Sequence, residues 1–511
     1  MTPAVQVQPA LRTRLDSDPG VDRRFGSARP RPRVALVVDH PLRDLPGLIL
    51  VARRLCEQGC EVLTVPANLI EREVWSASPD LVLFNYLRRA PHLSRLYRAL
   101  QRAGVAVGVL DTEGGVMESP DAFVRDLVTN EQVRRTVACY CTWGPVLAEH
   151  LRERGVFSED QLFVTGCPRT DYYAEPWRDA VFQRETPALA ARDRLVLLNT
   201  NFSLVNPAML SRERQLSLMV ETLGHSRDRV AAWQDAEEHG MLGLAKLAGE
   251  IARSFPEATV VLRPHPFERL ETYSSLLPEL PNLYCVREGA IEPWLMNAQL
   301  VIQRSCSTSI EAAMVGVPAA SPNWLPTAFE RPAANATSIP CQTPAELMSV
   351  VGSVLERRHA LPLDVARASE QVIRDWYLQI DGMAHHRVAD AILNSLPVQP
   401  RIRRERACRW GAYTGGRHFP HKRWLEGCYR RILGSPPSVD GRHTNSHEVP
   451  AKVSQWDNSL KRFGGGDVLA LLQAANWVAG VPASDPNCEL SVLAEDQWIP
   501  HQRTLLLRPT K

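Results

Sequence analysis

The sequence predicts two α/β domains, each built on a doubly wound parallel sheet of the Rossmann type, that face each other across a cleft. Three observations lead to this fold class. The chain has 511 residues, which is more than one hydrophobic core supports. Short β-branched apolar runs alternate with longer stretches of helical periodicity, an order typical of parallel sheets. A proline-rich and charged stretch at 168–193 separates these units into two series.

Each series contains its own set of predicted strands. Helical stretches lie between them, such as 45–59, where Gly59 is the expected C-cap, and 92–104, which Gly104 ends. Neither first strand leads into a GxGxxG pattern, which argues against dinucleotide redox chemistry. The predicted strands are 33–40, 61–65, 80–86, 105–111, 136–143 and 161–166 in the first series, and 194–203, 258–266, 282–286, 299–303 and 317–321 in the second.

These patterns divide the chain into four parts. Residues 1–32 are interpreted as a disordered leader, because they carry Arg and Pro but lack the apolar run of a secretory signal. Residues 33–192 are predicted to form the N-terminal acceptor domain, and residues 193–396 the C-terminal nucleotide-donor domain. Residues 397–511 are interpreted as a basic linker with a small C-terminal extension. This extension has one helical pattern at 466–480, which the sequence does not place in the fold.

Charge and cysteine content narrow the function classes. The formal net charge is +2, so no nucleic-acid partner is expected. No apolar run approaches the roughly 20 residues that span a bilayer. The 11 cysteines show no CxxC spacing, so we expect reduced, buried thiols in a cytoplasmic protein. The basic and aromatic stretch at 401–431 fits peripheral contact with an anionic membrane face, and it fits a solvated linker equally well.

The sequence Arg263-Pro264-His265-Pro266 directly follows an apolar strand of the second series. Ligands bind at this edge of doubly wound sheets. The flanking prolines restrict the backbone and hold the two side chains where the strand ends. Arg263 can bind phosphate bidentately, while His265 can donate a hydrogen bond or protonate a leaving phosphate oxygen. The alternative is an ordinary strand-to-helix turn.

A hydroxyl-rich segment opens the helix after the next strand. Ser307, Thr308 and Ser309 lie at the start of this helix, where hydroxyls and backbone N–H groups can bind an anion. We therefore expect these three residues to hold the phosphate of a nucleotide-linked donor substrate, with Glu311 facing the ribose of its nucleotide. The alternative is a plain helix cap with Ser307 as the N-cap.

Two acidic residues end a strand of the first series and precede two glycines. Asp111 or Glu113 is the expected catalytic base that removes a proton from the acceptor hydroxyl, and the sequence does not choose between them. The glycines allow backbone conformations open to close ligand approach. Asp39 and His40, at the end of the first strand, are a rival pair. Turn capping is the alternative for all four side chains.

These motifs resemble a known superfamily. The order RPHP, at 263–266, and then SxSTSIEAAMxGVP, at 305–318, is similar to the C-terminal halves of several bacterial enzymes of the GT-B superfamily. These are capsule Kdo transferases, teichoic-acid glycerophosphotransferases and nonhydrolysing UDP-GlcNAc 2-epimerases. The stretch from Arg33 to about Leu396, with LDTEGGV at 110–116, most resembles the bacterial surface carbohydrate biosynthesis proteins.

The resemblance implies a substrate class and site residues. It implies a nucleotide-sugar donor whose phosphate is gripped by His265 and the cluster 307–309, and a glycan or lipid-linked acceptor. Residues 165–171 resemble the interdomain segment of the epimerases, which implies a hinge. The motifs indicate the superfamily rather than the donor, since related enzymes use CMP-, CDP- or UDP-linked sugars.

Three hypotheses follow for the function. The first is an inverting glycosyltransferase of surface polysaccharide or capsule biosynthesis, or a related glycerophosphotransferase. We expect it to need no metal and no cofactor, because no DxD-like pair follows a strand and phosphate charge must be met by Arg263, His265 and the helix N-terminus. The alternatives are a sugar-nucleotide 2-epimerase and a noncatalytic nucleotide-sugar binding protein.

Overall fold

The computed structural model describes most of the chain. The described residues are 31–398, 463–481, 488–495 and 503–509, apart from short gaps at 68–69, 88–90, 115, 117–118, 127–130, 183–185, 209, 224 and 359–360. The leader at 1–30 and the basic stretch at 401–431 lie outside the described residues, so the predictions for these two segments stay predictions.

The strands and helices follow the alternation that the sequence predicts. The strands are β1 (Arg33–Val38), β2 (Glu61–Pro66), β3 (Leu81–Phe84), β4 (Ala106–Leu110), β5 (Val137–Thr142), β6 (Leu162–Val164), β7 (Leu195–Asn199), β8 (Thr259–Arg263), β9 (Leu283–Cys285), β10 (Ala298–Gln303), β11 (Ala319–Pro322), β12 (Ile339–Cys341), β13 (Cys488–Glu495) and β14 (Arg503–Pro509). The helices are α1 (Leu45–Glu57), α2 (Ile70–Ala77), α3 (Pro91–Arg102), α4 (Pro120–Asp126), α5 (Glu131–Arg134), α6 (Pro145–Glu153), α7 (Arg178–Phe182), α8 (Arg212–Leu223), α9 (Arg227–Ser254), α10 (Leu270–Leu276), α11 (Glu292–Asn297), α12 (Thr308–Met314), α13 (Pro332–Ala336), α14 (Pro344–Leu355), α15 (Leu363–Tyr377), α16 (Ala384–Asn394) and α17 (Gly465–Val478).

The strands form two sheets. The first has the order β13-β14-β2-β1-β3-β4-β5-β6, and its strands from β2 to β6 are parallel. The second has the order β12-β11-β10-β7-β8-β9 and is parallel throughout. The fold class predicted from the sequence is therefore confirmed: two doubly wound α/β domains.

Strand order fixes where ligands can bind. The direction of winding reverses between β1 and β3 in the first sheet, and between β7 and β10 in the second. Crevices open at the carboxyl ends of the strands beside such reversals. Both sheets are covered on both faces, and every residue of β3 and β7 is buried. Strands that are buried on both faces read as continuous apolar runs, which is why the sequence predicts them well.

The C-terminal part of the chain returns to the first domain. Val388 and Ile392 of α16 lie in the same buried cluster as Val34 and Leu36 of β1. The sequence predicts residues 384–394 as part of the second domain, because they follow that domain along the chain. In the structure, the apolar face of α16 covers the first sheet beside α1 instead.

Two further elements complete this return. Helix α17, which the sequence did not place, packs on α1, and Arg53 Nε donates to Asn476 Oδ1 at 3.0 Å. Strand β14 pairs antiparallel with β2 and buries the side chains of Leu505, Leu506 and Leu507. Strands β13 and β14 therefore extend the first sheet at the edge next to β2.

A buried carboxylate fastens the segment between the domains to α16. Asp171 accepts hydrogen bonds from Ala384 N at 2.9 Å, from His385 N at 2.8 Å and from the His385 ring at 2.8 Å. Both Asp171 and His385 are almost fully buried. Nearby, the Trp177 indole donates to Gly382 O at 2.9 Å. These contacts pack two stretches of chain that pass between the domains against each other: the stretch that carries Asp171 and Trp177, and the stretch that leads into α16.

Two further observations concern the cysteines and the lengths of the helices. The cysteines between Cys56 and Cys341 are free thiols, and all of these but Cys285 are buried. Among the described residues, no helix is both long enough and apolar enough to cross a bilayer.

Candidate active site

The second domain presents the Arg263–Pro266 turn at the carboxyl end of β8. The His265 N–H donates to Thr200 Oγ1 at 3.1 Å, which ties the turn to the end of neighbouring β7. The Phe267 N–H donates to His265 Nδ1 at 3.2 Å. Because Nδ1 accepts this bond, the neutral imidazole carries its proton on Nε2.

His265 is uncharged at neutral pH. Burial lowers the pKa of His265 to about 4. Charges from both domains also act on the ring: Glu113, Arg43 and His40 of the first domain, and Arg331 of the second. The first domain therefore faces the turn across the cleft. A neutral ring offers its Nε2–H as a hydrogen-bond donor, so of the two roles predicted for His265, donation fits better than proton transfer from an imidazolium.

Glu268 supports the turn from behind. This buried carboxylate accepts hydrogen bonds from Thr200 Oγ1 at 2.9 Å, from Phe202 N at 2.7 Å and from the Tyr273 hydroxyl. Arg287 Nη1 donates to the carbonyl oxygens of Glu268 at 2.6 Å and Pro266 at 3.1 Å. Glu268 is thus committed to holding the β7 and β8 ends together.

Replacing Glu268 with Gln should change how stability depends on pH. Burial raises the pKa of Glu268 to about 7 in the folded state, from an ordinary 4.5. The folded protein therefore holds this proton more tightly than the unfolded chain, and its contribution to stability is lost as pH rises from about 4.5 through 7. Gln cannot ionise, so urea unfolding at pH 5 to 8 should show a flatter profile for Glu268→Gln. Exposed Glu271→Gln is the control, and identical profiles for the wild type and both variants would contradict the prediction.

Arg263 lies beside the turn with part of its guanidinium already engaged. Its Nη2 donates to Gly289 O at 2.7 Å, while its Nε has no hydrogen-bond partner in the described structure. Burial lowers the pKa of Arg263 to about 10, so the side chain stays charged at neutral pH. A half-buried charge with an unsatisfied N–H is suited to binding an anion.

The hydroxyl-rich segment is only partly available to a ligand. Ser307 is the N-cap of α12 without a side-chain capping bond, and Ser307 and Thr308 are half-buried. Ser309 is fully buried, and its Oγ donates to Ala334 O at 2.9 Å and contacts Thr337 Oγ1 at 3.0 Å. The expectation that Ser309 holds phosphate is therefore corrected: it joins α12 to α13.

Glu311 also has a structural role in place of the expected contact with ribose. It accepts a hydrogen bond from the Tyr173 hydroxyl at 2.5 Å and forms an ion pair with Arg169 at 3.6 Å. Tyr173 and Arg169 belong to the segment between the domains. Glu311 points into the domain interface because the first turn of α12 packs against that segment.

In the first domain, Glu113 lies in a group of carboxylates around Arg43. Arg43 pairs with Asp39 at 3.1 Å, with Asp44 at 3.0 Å and with Glu113 at 3.2 Å. Burial opposes the charge of Arg43, but Asp44 and Glu113 outweigh it and raise its pKa. The Glu113 side chain is 42% exposed, against 12% for Asp39 and Asp44. Glu113 is therefore the member of this group most open to the cleft.

The structure also separates the candidate bases. Asp111 is 1% exposed, and its Oδ1 accepts the Glu113 N–H at 2.9 Å, so it orients the turn that carries Glu113. His40 Nδ1 accepts the Leu42 N–H at 3.2 Å, which places the ring proton on Nε2. A neutral histidine in this tautomer donates at Nε2 rather than accepting there. Among the four candidates, Glu113 has the best geometry for a base.

Gly114 has a packing role that differs from the expected one. Its φ is +58°, and a Cβ at this position would lie 2.0 Å from the Trp143 ring. A side chain at this position would therefore collide with the indole, and the expected approach of a ligand to the glycine stays a prediction. Gly115 lies outside the described residues.

Sequence reasoning missed the arginines that complete the site. Arg43 orients Glu113, Arg287 holds the turn, and Arg331 acts electrostatically on His265. No local pattern marks these residues, because each acts on a group from a different part of the chain. The alternation of Arg with apolar residues around them is ordinary surface composition.

Metal independence remains a prediction. Among the residues that the structure describes, no three His, Cys, Asp or Glu side chains are grouped so that they could hold an ion. We expect turnover to survive EDTA, because the Arg263 guanidinium and the Nε2–H of the His265 ring can offset the charge of the phosphate. Activity assayed with and without chelator tests this. Loss of turnover that magnesium or manganese restores would contradict it.

Comparison with known proteins finds solved structures that are similar to this chain over about three quarters of its length or less. Similar solved structures include S. aureus MnaA with UDP (12% identity, TM-score 0.46, 73% of this chain and 99% of that chain). They also include a UDP-GlcNAc 2-epimerase from Neisseria meningitidis bound to UDP-GlcNAc (12%, 0.40, 68% and 99%) and the wall teichoic acid polymerase TagF (9%, 0.46, 72% and 90%). No protein-family model matches the sequence, and no curated protein matches it. At such identities and TM-scores, these likenesses assign no activity.

Proposed function

We propose that this chain is an inverting, metal-independent glycosyltransferase that moves a nucleotide-activated sugar to a glycan or lipid-linked acceptor in surface polysaccharide assembly. The proposal is carried by the placement of the two groups after the carboxyl ends of strands in different domains: Glu113 follows β4, His265 follows β8, and the charge of Glu113 also acts on His265. A carboxylate and a hydrogen-bond donor thus address the same space from opposite domains.

On the donor side, charge develops on the leaving phosphate as the bond to the sugar breaks. Arg263 supplies a fixed positive charge, and the His265 Nε2–H supplies a hydrogen bond. Both are held in place before reaction by Gly289 O and Thr200 Oγ1. Donors that are fixed in advance stabilise such charge without reorganising during the reaction. Ser307 and Thr308 remain candidates for further phosphate contacts.

On the acceptor side, Glu113 takes the hydroxyl proton as the oxygen attacks the sugar. Arg43 holds the carboxylate in the cleft, and Asp111 fixes the backbone from which it projects. Attack from the face opposite the leaving phosphate inverts the configuration at the sugar carbon. We expect the basic stretch at 401–431 to bring the enzyme to the membrane surface that carries a lipid-linked acceptor.

Removing the side chain of Arg263 or of His265 should weaken nucleotide binding. We expect Arg263→Ala and His265→Ala each to weaken the binding of UDP, CDP or CMP, whichever the wild type binds, by about 10- to 100-fold, since a hydrogen bond to a charged group contributes about 1.5–3 kcal/mol. Isothermal calorimetry measures this, with exposed Arg253→Ala as the control. Unchanged affinity in both variants would remove the donor site from the proposal.

A sugar-nucleotide 2-epimerase is the second candidate. The carboxylates of Asp39, Asp44 and Glu113 around Arg43 offer the acids and bases that removal and return of a ring proton needs. Incubation with UDP-N-acetylglucosamine and no acceptor separates the two activities. An epimerase makes a new sugar nucleotide, whereas a transferase gives at most slow hydrolysis. Tight binding without turnover towards any acceptor would indicate a noncatalytic binding protein.

A further inference from the structure

The loop between β11 and α13, residues 323–331, is held by buried charged side chains from elsewhere in the second domain. Arg304, which follows β10 and is 7% exposed, donates from Nε to Leu325 O at 2.7 Å. Glu237 of α9, which is 1% exposed, accepts from Thr327 Oγ1 at 2.9 Å and from Ala328 N at 2.8 Å. Burying a charged side chain costs free energy unless its polar atoms are satisfied. Here the loop satisfies them, so the loop is fixed in one position.

Glu330 joins the end of this loop to the end of β10. Arg304 forms a bidentate pair with its carboxylate: Nη1 lies 3.0 Å from Oε2, and Nη2 contacts Oε1. Oε2 also accepts from the Ser305 hydroxyl at 2.8 Å and from Asn335 Nδ2 at 2.6 Å. Bidentate pairs of this kind fix the orientation of both partners. Glu330 is therefore committed to contacts within the second domain.

Ser305 connects this pair to the backbone of Arg331. Its Oγ accepts the Arg331 N–H at 3.2 Å while it donates to Glu330. The φ of Ser305 is +54°, a left-handed conformation that costs free energy in a residue other than glycine and persists only where surrounding contacts impose it. The contacts of Glu330 with Arg304 and Ser305 supply that constraint, and the position of Arg331 depends on them.

The side chain of Arg331 is left free to bind a ligand. It is half-buried, and within the described part of the chain its guanidinium forms no hydrogen bond and no ion pair. The carboxylate next to it in the chain, Glu330, is taken by Arg304, while Arg287 donates to carbonyl oxygens instead. A guanidinium that is partly shielded from water and has no carboxylate partner is suited to binding an anion.

Arg331 lies where the second sheet faces the first domain. Ser305, which accepts its N–H, follows the carboxyl end of β10. Ala333, two positions further along the chain, belongs to one buried cluster with Trp143 of the first domain. The charge of Arg331 also acts on His265, which follows β8. Strands β8 and β10 both pair with β7, so Arg331 and His265 approach the end of β7 from opposite sides.

We propose that Glu330 is a positioning residue that holds Arg331 in the cleft, where the Arg331 guanidinium binds the phosphate of the nucleotide-linked donor. This inference rests on the proposed function, which supplies the phosphate. Arg331 adds a second fixed cation to Arg263 at the same edge of the sheet. Glu330 and Arg304 do not touch the phosphate, so both act on binding only through Arg331.

A double-mutant cycle on Glu330 and Arg331 tests this inference. Isothermal calorimetry measures the binding of UDP, CDP or CMP, whichever the wild type binds. We expect Arg331→Ala to weaken binding by about 10- to 100-fold and Glu330→Ala by at least about 10-fold. In the Arg331→Ala background, Glu330→Ala should cause no further loss, because the group that it positions is absent. A role of Glu330 in folding alone predicts the same change in both backgrounds.

Two further variants keep the cycle independent of stability. Glu257 pairs with Arg194 at 2.8 Å, and its side chain is 46% exposed, against 49% for Glu330. Glu257→Ala is therefore the matched control and should leave nucleotide affinity unchanged. Glu330→Gln leaves Arg304 a hydrogen-bond acceptor and takes the place of Glu330→Ala if thermal melting shows that the alanine variant unfolds. Its smaller loss of affinity should likewise disappear in the Arg331→Ala background.

The outcomes separate this inference from the proposed function. If a nucleotide binds and Arg263→Ala weakens it, but Arg331→Ala does not, the inference is overturned while the function stands. The same holds if both Glu330 variants bind like the wild type, or if their loss is equal in the two backgrounds. If the wild type binds none of the three nucleotides, the proposed function fails, and the inference fails with it.

Discussion

Glu113→Gln should lower turnover by about 10²- to 10⁴-fold while nucleotide affinity stays close to that of the wild type. Gln keeps the size of the side chain and can still accept from Arg43 Nη1, which lies 3.2 Å from Glu113 Oε1. It cannot take a proton at neutral pH. Because the residue lies in the first domain and the donor groups lie in the second, chemistry and donor binding should separate. Steady-state kinetics and calorimetry on the same preparation measure both quantities.

Two controls support the interpretation of Glu113→Gln. Glu131→Gln changes an exposed carboxylate of the same domain, which forms a surface salt bridge with Arg135, and should be fully active. Thermal melting beside the kinetics detects a folding defect. A Glu113→Gln enzyme with wild-type turnover would show that the base lies elsewhere, with Asp39 the next candidate in the same group around Arg43.

Asp171→Ala should lower the free energy of unfolding by about 3–5 kcal/mol, the largest stability effect that we expect from one substitution. The carboxylate accepts the N–H groups of Ala384 and His385 and the His385 ring, all buried. Alanine leaves these groups without an acceptor where water does not reach. Urea unfolding followed by tryptophan fluorescence measures the change.

The matched control for Asp171 lies just before α16, the helix that carries its hydrogen-bond partners. Asp381 pairs with Arg387 at 2.8 Å, but its side chain is 31% exposed. Asp381→Ala should therefore cost about 1 kcal/mol or less. Equal losses for the two variants would show that burial of the Asp171 contacts contributes nothing beyond a surface ion pair.

The sequence predicts the two sheets well because their strands are buried on both faces. Continuous apolar runs such as 195–199 and 259–263 stand out from the helical periodicity around them. Because the strands are predictable, the positions where they end are predictable too. The sequence therefore places Arg263, His265, Asp111 and Glu113 at the edges of the sheets. The apolar runs do not indicate which sheet a later element joins. Helix α16, for example, follows the second domain along the chain but packs on the first sheet.

The role of each residue within the site depends on contacts between residues that are distant along the chain. Glu113 and Asp111 are two positions apart and chemically alike, and only their exposure separates them. Ser309 and Thr308 are neighbours in one motif, yet helical geometry turns Ser309 into the core. A motif read along the chain treats such neighbours as equivalent. Three-dimensional packing distinguishes them.

Because the chain returns to the first domain after it has formed the second, the second domain is inserted within the first along the sequence. Arg53 and Asn476, which bond each other, are 423 positions apart. During synthesis, β7 to β12 are complete long before α17 and β14 emerge, so the second domain can fold first. Until α16 arrives, the apolar cluster that contains Val34 and Leu36 is covered by α1 but lacks Val388 and Ile392. Such distant pairings form slowly, so a fragment that ends before α16 should expose part of this cluster and aggregate, while a fragment of the second domain alone should stay in solution.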